Sequence, residues 1–133
     1  MHDTHPFGPA IHVYTRAQAI ADGNLIDVSL TAAEVGFRYP VALTSAAWAD
    51  CVAWSDADNH RQTLQDEPGR LLDVLWLAKL AAKKGRGQSL TFDLRRVPRD
   101  GHSVYSHKAR LRLVIGPGDA GEPVLTIMLP DED

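Results

Sequence analysis

Leu90-Thr-Phe-Asp-Leu-Arg95 sets an apolar residue at every second position, and Lys108-Ala-Arg-Leu-Arg-Leu-Val-Ile115 does so again through Leu111, Leu113 and Ile115. A period of two marks a half-buried strand. Lys108, Arg110 and Arg112 then fall on the face opposite the leucines. Gly116-Pro-Gly-Asp-Ala-Gly121 is a dense turn signal. Val124 to Leu129, which follows it, carries no charge on either face. Such a strand belongs inside a sheet, not at its edge. Pro130 and Asp131-Glu-Asp133 oppose further pairing. The last third of the chain therefore predicts an antiparallel meander of three strands.

Upstream the period changes. From Pro68 or Gly69 to about Lys84, Leu71, Val74, Leu75, Ala78 and Ala82 form one helical stripe. Leu72, Trp76, Leu77 and Leu80 lie outside it, which predicts a core helix that is apolar on more than one side. Lys83 and Lys84 suit the negative end of its dipole, and Gly85 ends it. Thr15 is placed to cap a helix from Arg16 to Asp22, with Gly23 as its stop. Leu25 to Leu30 alternates as a strand that can join the sheet. Thr31 and Glu34 have the spacing of a capping box for a short helix ending before Gly36. Val41 to Leu43 is apolar but short. Thr44 or Ser45 then caps a helix to about Trp54, with Trp48, Cys51 and Val52 on one face. Ser55 to Glu67 is polar and predicts an irregular surface connection. Of the three tryptophans, Trp54 is the one expected at the surface.

These elements predict an α+β fold, with N-terminal helices and a long core helix packed on a C-terminal antiparallel β-meander of three to four strands. Residues 1–10 are expected to form a flexible tail and residues 11–133 a single domain. Ile11 to Tyr14 suits a short strand. The chain has 133 residues, of which 44% are hydrophobic and 23% charged. That is the composition of an ordinary globular domain and excludes disordered and collagen-like classes. No apolar run approaches the roughly 20 residues of a membrane-spanning helix. The single cysteine, Cys51, has no internal disulfide partner, and Met1 to Ala10 lacks the apolar segment of a signal peptide. Both point to a cytoplasmic location and to no membrane partner.

The net charge of −3 hides a segregation. Met1 to Glu67 holds three basic residues against nine acidic ones, Pro68 to Arg112 eleven against three, and Leu113 to Asp133 none against five. Two candidate binding surfaces follow. Arg95, Lys108, Arg110 and Arg112 line one face of a hairpin, with Arg96 and Arg99 near its loop. Clustered cations suit an acidic protein surface or phosphates, yet strand faces opposite a core are ordinarily polar, and Tyr105 alone offers an aromatic for base stacking. The second candidate is the acidic stretch marked by Asp56, Asp58, Asp66 and Glu67.

Catalytic and metal chemistry find little support. His102 and His107 share a loop with Asp100, which is half of a zinc site. His2 and His5 share the tail. Cys51 with His60 beside it would make a nucleophile, but a cysteine on a tryptophan-bearing helix face is ordinarily a small hydrophobe. The Gly116–Gly121 turn lacks the Gly-Lys-Ser/Thr of a phosphate loop. His12-Val-Tyr14-Thr15 loosely resembles the first motif of ADP-ribosyltransferases, whose late glutamate has only Glu122 as a candidate here. No catalytic residue, metal or cofactor is assigned.

Tyr14-Thr-Arg-Ala-Gln-Ala-Ile-Ala-Asp-Gly23 with Val28 is one of several segments that carry a resemblance. The others are Tyr39-Pro-Val-Ala-Leu-Thr44, Trp48-Ala-Asp-Cys51, Asp73-Val-Leu-Trp76, Arg96-Val-Pro-Arg-Asp-Gly101 and Gly116 to Pro130. Together they resemble a family of small uncharacterised proteins, called plasmid-related, of bacterial plasmids and integrative conjugative elements. The likeness spans nearly the whole chain after the tail, and leaves His2, His5 and His12 largely outside. It implies an accessory gene of mobile DNA and no particular activity. The expectation is a non-catalytic binding module that contacts a host or element-encoded protein, including a defence system. The alternative is a nucleic-acid-binding protein using the basic hairpin face, and a nucleotide-dependent enzyme is the third class. Homodimerisation stays open, because a two-sided apolar strand and helix can be satisfied within one chain or across a dimer.

Overall fold

The computed structural model describes residues 14–132. The expected tail, its histidines His2 and His5, and His12 in the expected strand from Ile11 lie outside the described residues. Ten elements follow in order: α1 (Arg16–Ala21), β1 (Leu25–Asp27), α2 (Ser29–Val35), β2 (Val41–Thr44), α3 (Ser45–Cys51), α4 (Asp56–Arg61), α5 (Glu67–Lys84), β3 (Ser89–Arg96), β4 (His107–Pro117) and β5 (Pro123–Met128). The strands form one sheet in the order β1-β2-β5-β4-β3. All neighbours are antiparallel except β2 and β5, which run parallel. The fold is α+β.

The expected meander is present, and β5 lies inside the sheet, between β4 and β2. Its register explains the two-sided apolarity. Ile127 stands opposite Leu113 on one side and Leu43 on the other, and Leu113 stands opposite Leu90. These four side chains share a face, because cross-strand partners point the same way. α2, α3 and α5 cover that face, and Val74, Leu75 and Ala78 of α5 are fully buried against it. On the opposite face Val124 and Met128 are also buried.

α1 is anchored from both ends of the chain. Thr15 and Gln18 form a capping box. Asp119, from the glycine-rich turn, accepts hydrogen bonds from the Arg16 and Ala17 backbone N–H groups. Arg16 reaches across the sheet to donate to Thr126 Oγ1 and the Leu125 carbonyl. The turn thus fixes a helix as well as a hairpin.

Several expectations are corrected. Residues 25–30 are not one strand: β1 stops at Asp27, whose carboxylate accepts from the Ser29 N–H and hydroxyl and turns the chain into α2. Leu30 is consequently 87% exposed. Helix α2 begins at Ser29, so Thr31 lies within it and no Thr31–Glu34 box forms. Val41 to Leu43 is an interior strand whose three residues are all fully buried. α3 ends at Cys51, short of Trp54, where the Val52 and Ala53 N–H groups converge on the Trp48 carbonyl. The expected irregular connection from Ser55 to Glu67 is so only over residues 62–66: Ser55 and Asp58 build a capping box for α4, and Glu67 already belongs to α5. Finally, α5 is a half-buried helix. Leu72, Trp76 and Leu80 are exposed on its outer side, and Trp76, not Trp54, is the exposed tryptophan. Among the described residues no helix is long and apolar enough to cross a membrane.

Candidate docking groove and arginine pocket

The hairpin pairing sets Arg95 opposite Lys108, Asp93 opposite Arg110 and Thr91 opposite Arg112. Three of the expected cations, Arg95, Lys108 and Arg110, are exposed on this face. Asp93 sits among them, accepting from Arg110 Nε at 2.8 Å and Lys108 Nζ at 3.3 Å. The Arg110 hydrogen bond and the two cations hold the Asp93 carboxyl below its ordinary range. Arg112 is half-buried and donates to the Glu132 carbonyl and to Met128 Sδ, so it secures the chain end. Arg96 points to the helical side, where it donates to the Asp50 carbonyl and carboxylate. Arg99 donates to Asp58 at 2.6 Å. The six basic residues therefore divide between an open face with an internal carboxylate and three structural contacts.

The acidic stretch is equally divided. Asp56 is exposed in the first turn of α4, while Asp58 is 2% exposed beneath Arg99. Asp66 caps α5 through the Gly69 N–H, and Glu67 accepts from the Trp54 N–H. Gln62, just past α4, donates to the Pro98 and Ser103 carbonyls and accepts from the Gly101 N–H. The 97–106 loop is thereby pinned to the acidic segment.

Beside these contacts lies a groove. β3 ends the sheet, so its outer edge has no strand partner among the described residues. Between that edge and α5 runs a shallow depression of about 450 Å³, lined by Asp73, Trp76 and Leu77 from the helix and by Asp93, Leu94 and Arg95 from the strand. Its walls are mainly apolar and Trp76 is 51% exposed. An unpaired edge offers backbone donors and acceptors to an added strand, with flanking pockets to select side chains.

A second, more enclosed pocket of about 170 Å³ shares Asp73, Leu94 and Arg95 with the groove. Arg70, Arg95 and Arg96 line it together with Gln65, Cys51 and Ser106, and Asp73 is the one carboxylate in its wall. Arg70 is 4% exposed. Its Nε donates to the Val52 carbonyl, and Nη1 to the Val97 carbonyl and Gln65 Oε1. Its guanidinium stacks on Trp54 at 4.6 Å. Trp54 is held in turn by Asn59, which accepts from its indole N–H at 2.7 Å. Burial lowers the Arg70 pKa from its ordinary value.

Cys51 lies in the pocket wall, but burial, then the neighbouring Asp50, pushes its thiol up to about 12. A thiol held protonated is a poor nucleophile. His60 is exposed and bonds the Asp56 carbonyl. His102 stands 3.6 Å from Asp100, and no group of three or more metal-ligating side chains gathers among the described residues. The Glu122 carboxylate accepts from the Ala120 N–H within its own turn.

The features that sequence reasoning missed are Arg70, Gln65 and the exposure of Trp76. Arg70 left a signal: it stands four residues before Val74 and eight before Ala78, on the buried stripe of its helix. An arginine there must find polar partners inside the protein.

The chain belongs to a protein family described as a family of unknown function (DUF6573), whose model matches residues 4–133. The match takes in His5 and His12, which the resemblance to plasmid-related proteins largely leaves out. No curated protein and no solved structure matches the chain.

Proposed function

We propose that this member of the family is a non-catalytic binding module that engages an extended, acidic segment of a partner protein along the groove between α5 and the β3 edge. The observation that carries this is the coincidence of a strand edge unpaired among the described residues with an exposed tryptophan and the Arg95 guanidinium. Backbone pairing would give affinity, Trp76 and Leu77 an apolar anchor, and Arg95 a preference for acidic side chains. The resemblance to plasmid-related proteins supports an accessory role in a mobile element, with a host or element-encoded protein as partner, defence proteins included.

The test is affinity capture from the native host with nuclease present, comparing the wild type with Trp76→Ser and Arg95→Glu. A stoichiometric protein retained by the wild type and lost by both variants is the expected result. Equal retention by the variants would remove the groove from consideration. Recovery of nucleic acid alone without nuclease, released at high salt, would replace this reading with phosphate contact through Arg95, Lys108 and Arg110, since such binding weakens steeply with salt.

A further inference from the structure

Arg70 is a buried cation without an anion. Among the described residues no carboxylate lies within ion-pair distance of it, although Asp58, Asp50 and Asp93 each hold an arginine. Its Nη2 atom is fully buried and has no hydrogen-bond partner. Burying an unpaired charge is costly, and a native arginine in that state is ordinarily matched by something. Backbone carbonyls and the Trp54 face satisfy part of the guanidinium and fix its plane. Arg70 also lines the pocket that Arg95 and Arg96 line. Arg96 is already paired with Asp50, so Arg70 and Arg95 stand against the Asp73 carboxylate and leave the cavity positive. Its volume is well below the roughly 300–1,000 Å³ of pockets that enclose drug-sized ligands.

We infer that this pocket binds a single oxyanion group, a carboxylate or a phosphate, held by the Arg70 guanidinium with Arg95 and Ser106 at the rim. The inference goes beyond the docking reading and stands without it. The oxyanion has two sources: a free anion, or an acidic side chain of the segment that occupies the adjoining groove.

The experiment titrates the intact protein with sodium phosphate and with sodium acetate at constant ionic strength. It follows the Arg70 Nε–H and the Trp54 indole N–H by nuclear magnetic resonance. Saturable shifts at both groups are expected, weakened at least tenfold in Arg95→Gln and abolished in Arg70→Met. Arg95 is exposed, so Arg95→Gln tests the pocket even if Arg70→Met fails to fold. Absence of saturation with either anion, or unchanged affinity in Arg95→Gln, would overturn the inference. To separate the sources, peptides selected by display on the wild type are competed with phosphate. Displacement assigns the site to an acidic side chain, and independent binding of phosphate and peptide assigns it to a free anion. If no peptide is selected while phosphate still saturates, the docking reading fails and the pocket stands.

Discussion

Arg99 Nε donates to Asp58 Oδ2 at 2.6 Å and so joins the β3–β4 loop to a helix 41 residues earlier. The same carboxylate accepts from the Ser55 N–H and hydroxyl, and Arg61 approaches its other oxygen at 3.7 Å. One aspartate thus starts α4 and holds the loop that borders the arginine pocket.

That arrangement predicts an acid-sensitive loop. Burial pushes the Asp58 carboxyl up, but the hydrogen bonds from Arg99 and Ser55, with the Arg99 charge, carry it below its ordinary value of 3.8. A carboxyl depressed on folding contributes stability that is complete above its unfolded value and lost as pH falls through the folded one. Asp58→Asn should therefore lower the urea midpoint near neutral pH and reduce the loss of stability below about pH 4. Part of the slope should persist, because Asp93, Asp100 and Asp119 are also held low. An Asp58→Asn profile parallel to that of the wild type would show that the pair contributes no proton linkage.

Cys51 gives a second prediction. Its thiol, 1% exposed and pushed up to about 12, should resist iodoacetamide at pH 8 in the native protein. Modification should then follow opening of the α3–α5 packing and accelerate with urea. Rapid alkylation without denaturant would mean that the pocket wall opens readily.

Gly36 gives a third. It ends α2 at φ +111°, a left-handed conformation that a side chain resists. A Cβ there would also collide with Lys79, whose Nζ donates to the Val35 carbonyl at 2.6 Å. Gly36→Ala should cost about 1–3 kcal/mol in urea unfolding. Gly116→Ala, with ordinary φ and open space around its Cβ, should cost clearly less. Equal costs would show that the left-handed backbone at Gly36 carries no strain.

The strands at Leu90–Arg95 and Leu111–Ile115 were legible because alternation is a local signal and one face of each meets the core. Leu25–Leu30 alternated just as well, yet Asp27 ends the strand through a side-chain turn that periodicity does not register. Val41–Leu43 was too short to separate strand from helix, and its interior place depends on the parallel partner β5. Helix α4 was hidden because the N3 residue of its capping box is Asp58 where a glutamate is usual. The candidate cations were legible as charge, but not their partners. Arg96, Arg99 and Arg112 are claimed by Asp50, Asp58 and the chain end, all distant in sequence. Arg70 was passed over because a stripe of leucines and alanines drew attention to the apolar positions alone.

The last prediction separates the two sides of α5 at adjacent residues. Leu75 is fully buried among sheet and helix side chains, so Leu75→Ala should cost roughly 2–5 kcal/mol. Trp76, one residue on, is half-exposed and touches Lys79, whose ammonium lies 5.5 Å from its ring. Loss of an exposed cation–π contact and of partial burial should cost Trp76→Ser under about 1.5 kcal/mol. The variant should therefore remain folded while losing the partner captured by the wild type. Urea unfolding measures the first quantity and capture the second. A large loss of stability in Trp76→Ser would make the tryptophan part of the core, and its exposure would then say nothing about docking. A stable Trp76→Ser that still captures the partner would place the binding surface elsewhere on the molecule.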